Sequence, residues 1–97
     1  MNKKISTDGY VKELYEALMM PETIEEFAVF MEDLCTVAEL QAMAQRLQVA
    51  KMLKSGKVYS EIVEETGAST ATISRVNRSF SYGGEGYKIV LKRLENK

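Results

Sequence analysis

Gly67 constrains this chain more than any other residue. It separates VYSEIVEET, in which Ile62 and Val63 mark a short amphipathic helix ending at Thr66, from ASTATISRVNRSF, in which Ile73 and Val76 lie six and nine residues beyond the glycine. Two helices that cross steeply over a turn of about three to four residues need a residue tolerant of positive φ in the turn. They also need small or branched apolar side chains where they touch. The spacing therefore predicts a helix-turn-helix within residues 58–80, with its second helix over 69–80. Five of the thirteen residues from Ala68 to Phe80 are Ser or Thr, which compete with the backbone for hydrogen bonds and enter helix interiors reluctantly. Such a helix calls for an explanation on its exposed side.

The rest of the chain also reads as helix. Val11, Leu14, Tyr15, Leu18 and Met19 recur at helical spacing, and Met20-Pro21 ends that run, since the residue before Pro avoids the helical region. Thr23 and Glu26 form a capping box ahead of a stripe of Ile24, Phe27, Ala28, Met31, Leu34 and Cys35. Thr36 and Glu39 repeat the box before a longer helix reaching about Lys54. That helix carries Leu40, Met43, Leu47 and Ala50 on one side, with Ala42, Val49 and Leu53 widening it. Ser55-Gly56 supplies its stop. A last helix requires Tyr87, Val90, Leu91 and Leu94 to be buried, and SYGGEG ahead of it reads as a flexible connection. No strand pattern competes, so the fold class is all-α, in a single domain over residues 1–97. A chain of 97 residues buries only a modest core. The breadth of the apolar surface on the long helix thus points to a central helix shared between two copies, a homodimer.

Several function classes lose support at once. The chain has no His and one Cys, Cys35, which reads as a core residue. Zinc sites, the usual nucleophile arrangements and an enzyme reading are therefore disfavoured, and no metal or cofactor is called for. The stretch MNKKISTDGYVKELYEALMM carries charges where a signal peptide needs an apolar run, and no later segment reaches membrane-spanning length. A cytoplasmic protein with no membrane partner is expected. The net charge of −1 conceals an asymmetry: residues 1–37 set three lysines against eight carboxylates, a net of −5, leaving +4 for the other sixty. No acid occurs between Glu65 and Glu85, whereas Arg75 and Arg78 do, so the local field favours an anionic partner.

At 100° per residue, Ile73, Val76 and Phe80 share one sector of the second motif helix, opposite Ala71, Ser74, Arg75 and Arg78. The latter face suits the major groove of double-stranded DNA. Small residues permit close approach, hydroxyls reach phosphates or base edges, and Arg binds phosphate or donates two bonds to guanine. Ser69, Thr70 and Thr72 add the helix N-terminus, with its free amides and positive dipole end, for phosphate. The expected function is a sequence-specific DNA-binding transcriptional regulator, a repressor acting by operator occupancy. Two alternatives remain open at this point. One is a helix-turn-helix protein-interaction module without DNA function, favoured by the acidic first third; the other is a surface helix or phosphorylatable segment merely rich in Ser and Thr.

TGASTATISRVNR followed by YGGEGY, together with the helix order and the long third helix, resembles the Trp repressor superfamily, and more closely its small Trp-repressor-like branch. The resemblance spans about residues 8–95 and is specific over 36–80. It implies an intertwined all-helical homodimer whose recognition helices enter successive major grooves of a near-palindromic operator. It also implies DNA contacts at Thr70, Ala71, Thr72, Ser74 and Arg75, with Tyr59 and Ser60 on the preceding helix. The basic and amide side chains of the Trp repressor on that preceding helix are replaced here by Tyr59, Ser60 and Val63, which implies weaker attraction to phosphate. The corepressor positions of the family fall on Arg46, Arg75, Ser79 and the Leu34 to Thr36 segment. Val76, however, stands where the family has the Gly against which the indole packs, and its branched side chain argues against tryptophan as effector. A small-molecule corepressor of other identity stays open, as does a simple ion pair between Arg46 and an N-terminal carboxylate.

Overall fold

The computed structural model describes residues 8–97. Among these residues six helices follow one another: α1 Gly9–Leu18, α2 Ile24–Leu34, α3 Val37–Lys54, α4 Tyr59–Thr66, α5 Thr70–Ser81 and α6 Glu85–Glu95. Among the described residues there is no strand, and no helix is long and apolar enough to cross a membrane. The chain forms two compact units, one ending at Leu40 and the other spanning Gln41–Lys97. α3 begins in the first and continues through the second.

Local chemistry sets the helix ends of the first unit. The Asp8 carboxylate accepts from the amides of Tyr10 and Val11, at 2.9 and 3.3 Å, and so starts α1. α1 closes at Leu18, slightly before the expected stop at Met20. The amides of Met19 and Met20 donate back to Glu16 and Ala17, both at 3.1 Å, in the tighter three-residue pattern common at helix ends. At the start of α2 the Thr23 hydroxyl accepts from the Glu26 amide at 3.1 Å. The Glu26 carboxylate, however, takes the amide of Glu22 at 2.8 Å rather than that of Thr23, so this box is displaced by one residue. The second box is reciprocal: Thr36 N–H donates to the Glu39 carboxylate at 2.8 Å, and Glu39 N–H donates to the Thr36 hydroxyl at 3.1 Å. The bond from the Thr36 amide, and then that involving its side chain, holds the Glu39 carboxyl below its usual pKa. No residue from 8 to 40 is buried. Even on the predicted stripe, Ile24 is 75% exposed and Leu34 48%.

The second unit has a core of its own. Val49 and Ala50 from α3, Ile62 from α4, Ala68 from the turn, Ile73 and Val76 from α5, and Leu91 from α6 are all buried. Leu47, Leu53, Val63, Phe80 and Tyr87 pack partly against them. α4 packs on α5 and α5 on α6. Gly56 and Gly67 adopt left-handed φ values of 83° and 73° at the ends of α3 and α4, the positions where the sequence demands that freedom.

Two expectations for the C-terminal region need correction. Leu91 is buried and Tyr87 half-buried, but Val90 and Leu94 remain 49% and 43% exposed, because α6 turns only one side to the core of its own chain. Nor is SYGGEG simply a flexible connection. Ser81 completes α5, Glu85 and Gly86 begin α6, and only Tyr82, Gly83 and Gly84 link the two. Gly84 has φ 63°, and a Cβ there would lie 2.8 Å from the carbonyl oxygens of both Ser79 and Phe80. The close approach brings the Phe80 and Tyr87 rings to 6.3 Å between centroids, and this contact ties α6 to α5.

Candidate nucleic-acid interface

The candidate surface is the outer side of α5, and its orientation follows from burial of the opposite side. With Ile73 and Val76 in the core, Ser69, Thr70, Ala71, Arg75 and Arg78 are exposed, while Thr72 and Ser74 are half-buried. Ser69 is the N-cap: its hydroxyl oxygen accepts from the Thr72 amide at 3.1 Å and its O–H donates to the Thr72 Oγ1 at 3.1 Å. The hydroxyl-rich start of the helix is thus in part its own cap. The Thr72 hydroxyl hydrogen stays available, whereas that of Ser69 is committed. Because the first intrahelical bond runs from the Ile73 amide to the Ser69 carbonyl at 3.0 Å, the amides of Thr70 and Ala71 have no acceptor among the described residues.

Charge sharpens the surface. The ion pairs among the described residues are Lys54–Glu95 at 2.9 Å, Lys57–Glu65 at 3.5 Å and Lys88–Glu85 at 3.8 Å, so neither Arg75 nor Arg78 is neutralised by a carboxylate. On α4, Ser60 is exposed, but the Tyr59 ring packs partly against the core.

The corepressor positions are divided between the units. Leu34 and Thr36 belong to the first, and the Thr36 hydroxyl already accepts from the Glu39 amide. Arg46, Arg75 and Ser79 belong to the second, where Arg46 is half-buried and pairs with no carboxylate of residues 41–97. Val76 is 2% exposed and its side chain is part of the core.

One polar contact at this motif has no local signature in the sequence. The Gln45 side-chain amide, on α3, donates to the carbonyl oxygen of Thr66 at 3.2 Å, across twenty-one residues.

Comparison with known proteins agrees with this architecture. The family model described as Trp repressor protein matches residues 10–95. An uncharacterised protein of Bacillus subtilis (strain 168), YerC, is 47% identical over 83 residues, covering 86% of this chain and 80% of the relative. The crystal structure of a TrpR-like protein from Eubacterium eligens aligns with a TM-score of 0.91 at 46% identity, covering 97% of this chain and 96% of the other. That of a candidate Trp repressor from Staphylococcus aureus aligns with a TM-score of 0.92 at 45% identity, covering 100% and 97%. With the helix order, the motif and the match over residues 10–95 in agreement, the chain belongs to the Trp repressor protein family.

Proposed function

We propose that the protein is a sequence-specific DNA-binding transcriptional regulator, a repressor that acts as a homodimer by occupying its operator. The observation that carries this reading is the outer face of α5: acid-free, rich in hydroxyls, and bearing two arginines without carboxylate partners among the described residues. In the proposed complex the 69–80 segment enters the major groove. The Thr70 and Ala71 amides and the Thr72 hydroxyl meet phosphate, Ser74, Arg75 and Arg78 reach bases or flanking phosphate, and Ser69 acts by capping the helix. Tyr59 and Ser60 approach the backbone from α4.

The dimer is supported by residues 8–40, none of which is fully buried in the single chain although Ile24, Phe27 and Leu34 form an apolar stripe. A groove of about 580 Å³ lined by Pro21, Ile24, Phe27, Met31 and Leu40 is the place we assign to a second copy. Tryptophan is not the effector in this reading, since Val76 fills the position the indole would need. An effector of other chemistry, held by Arg46, Arg75 and Ser79, would reveal itself as thermal stabilisation in a screen of amino acids and nucleotides.

Selection of bound sequences from a random duplex pool tests the proposal, with near-palindromic half-sites about one helical turn apart as the expected result. Arg75→Ala should then lower operator affinity by about 1–3 kcal/mol and compress discrimination between sequences. Wild-type anisotropy titrations for that variant would show the groove placement to be wrong. The acidic residues Glu61, Glu64 and Glu65 on α4 favour a second reading, a protein-interaction module. Salt separates the two, because DNA affinity falls linearly in log-log form as salt rises while a mostly apolar protein contact holds.

A further inference from the structure

The turn between α4 and α5 is held at three points, and one of them lies outside the motif. Gly67 supplies the left-handed backbone. The Thr66 hydroxyl donates to the Ile62 carbonyl at 2.6 Å and accepts from the Ala68 amide at 3.1 Å, so one side chain spans the end of α4 and the first residue after the glycine. The Thr66 carbonyl is one of the last four of its helix and has no partner within it. That carbonyl takes the Gln45 amide at 3.2 Å. The orientation of the Gln45 carboxamide follows from chemistry, because the reverse one would set two acceptor oxygens against each other. Gln45 and Thr66 are half-buried and Ile62 is buried, while Gly67 itself is exposed; Ala68 is a core residue only two positions before the start of α5.

We propose that Gln45 is a positioning residue for DNA binding: through Thr66 it fixes the turn that sets the angle at which α5 leaves the core. The inference rests on the DNA-binding reading above and extends it to a residue that touches no DNA. Ile62, Ala68 and Ile73 hold the motif by packing, which tolerates small rotations. A directed hydrogen bond to the turn does not, and at the outer end of a helix of twelve residues a small change of angle moves Arg78 well away from a base edge.

The test uses the full-length protein and two variants. Gln45→Met keeps length and helix propensity but removes the donor, whereas Gln45→Lys restores a donor of similar reach. Amide exchange at Gly67 and Ala68 is read by NMR on the free protein. The ratio of affinity for the selected operator to that for a scrambled duplex is read at one salt concentration. In Gln45→Met, exchange should quicken and the operator-to-scrambled ratio should fall about three- to tenfold. In Gln45→Lys both should stay near wild type. Unchanged exchange in Gln45→Met, or a lowered melting temperature with an unchanged ratio, would overturn the proposal, as would a Gln45→Lys variant that behaves like Gln45→Met. Wild-type protein that prefers no duplex would instead sink the DNA-binding reading, and exchange alone would then judge the Gln45 tie.

Discussion

Residues 8–40 and residues 41–97 carry similar amphipathic helices and reach opposite outcomes. The second unit closes a core of seven buried residues drawn from four helices and a turn. The first buries none, although Ile24, Phe27 and Leu34 keep helical spacing as regular as that of Ile73, Val76 and Phe80. Periodicity states which face of a helix is apolar; it does not state which chain will cover that face. The difference separates a core closed within one chain from apolar faces that the single chain leaves open.

Substitutions on the two sides of Leu40 should therefore behave differently. The largest effect belongs to the self-sufficient core. Ile73→Ala leaves a cavity between α5 and its neighbours and should cost about 2–5 kcal/mol in denaturant unfolding. Gly84→Ala comes next, at about 1–3 kcal/mol, because the backbone is left-handed there and the added methyl would press on two carbonyl oxygens. For both, the loss measured on the second unit should be present at low and high protein concentration alike.

Phe27→Ala inverts that pattern. Its ring, 39% exposed in the single chain, lines the groove assigned to a second copy. Sedimentation should show association weakened about tenfold or more, with far-UV helicity kept at high concentration. Concentration-independent destabilisation by Phe27→Ala would erase the distinction between the units.

The smallest effect concerns the start of α3. The Glu39 carboxyl is held below its ordinary pKa by the Thr36 amide and side chain, so its bond stabilises the fold above the unfolded-state pKa and is lost as pH falls through the lower folded value. The melting temperature of Glu39→Ala should thus trail wild type slightly at neutral pH, and the gap should close in the acid range. A gap that widened on acidification would contradict the cap.

Legibility followed the range of the interactions. Caps and left-handed glycines are set by a few neighbouring residues, so Thr36, Glu39, Gly56 and Gly67 were readable from their immediate context. So was the buried side of α5, and with it the exposure of Arg75 and Arg78. The displaced box at Glu22 and Glu26 escaped because two amides compete for one carboxylate. Val90 and Leu94 escaped because an apolar face does not name its partner. Ser69 and Thr72 were readable as hydroxyls near an N-terminus, but their engagement with each other depends on the cap geometry. Gln45 left no trace at all, since nothing near position 45 announces a carbonyl twenty-one residues away.

The unburied first unit also has a consequence in time. Chains are synthesised from the N-terminus, and α1 and α2 leave the ribosome before any residue of the core that closes on its own. In the proposed dimer the segment made first is therefore the segment finished last, after the second unit has formed and a sister chain has been met. Until then Ile24, Phe27 and Leu34 are open to whatever binds apolar helices. In that proposed dimer, the rate at which sister chains are produced near one another sets how long each newborn copy carries the exposed stripe, and translation from a shared message would shorten the interval.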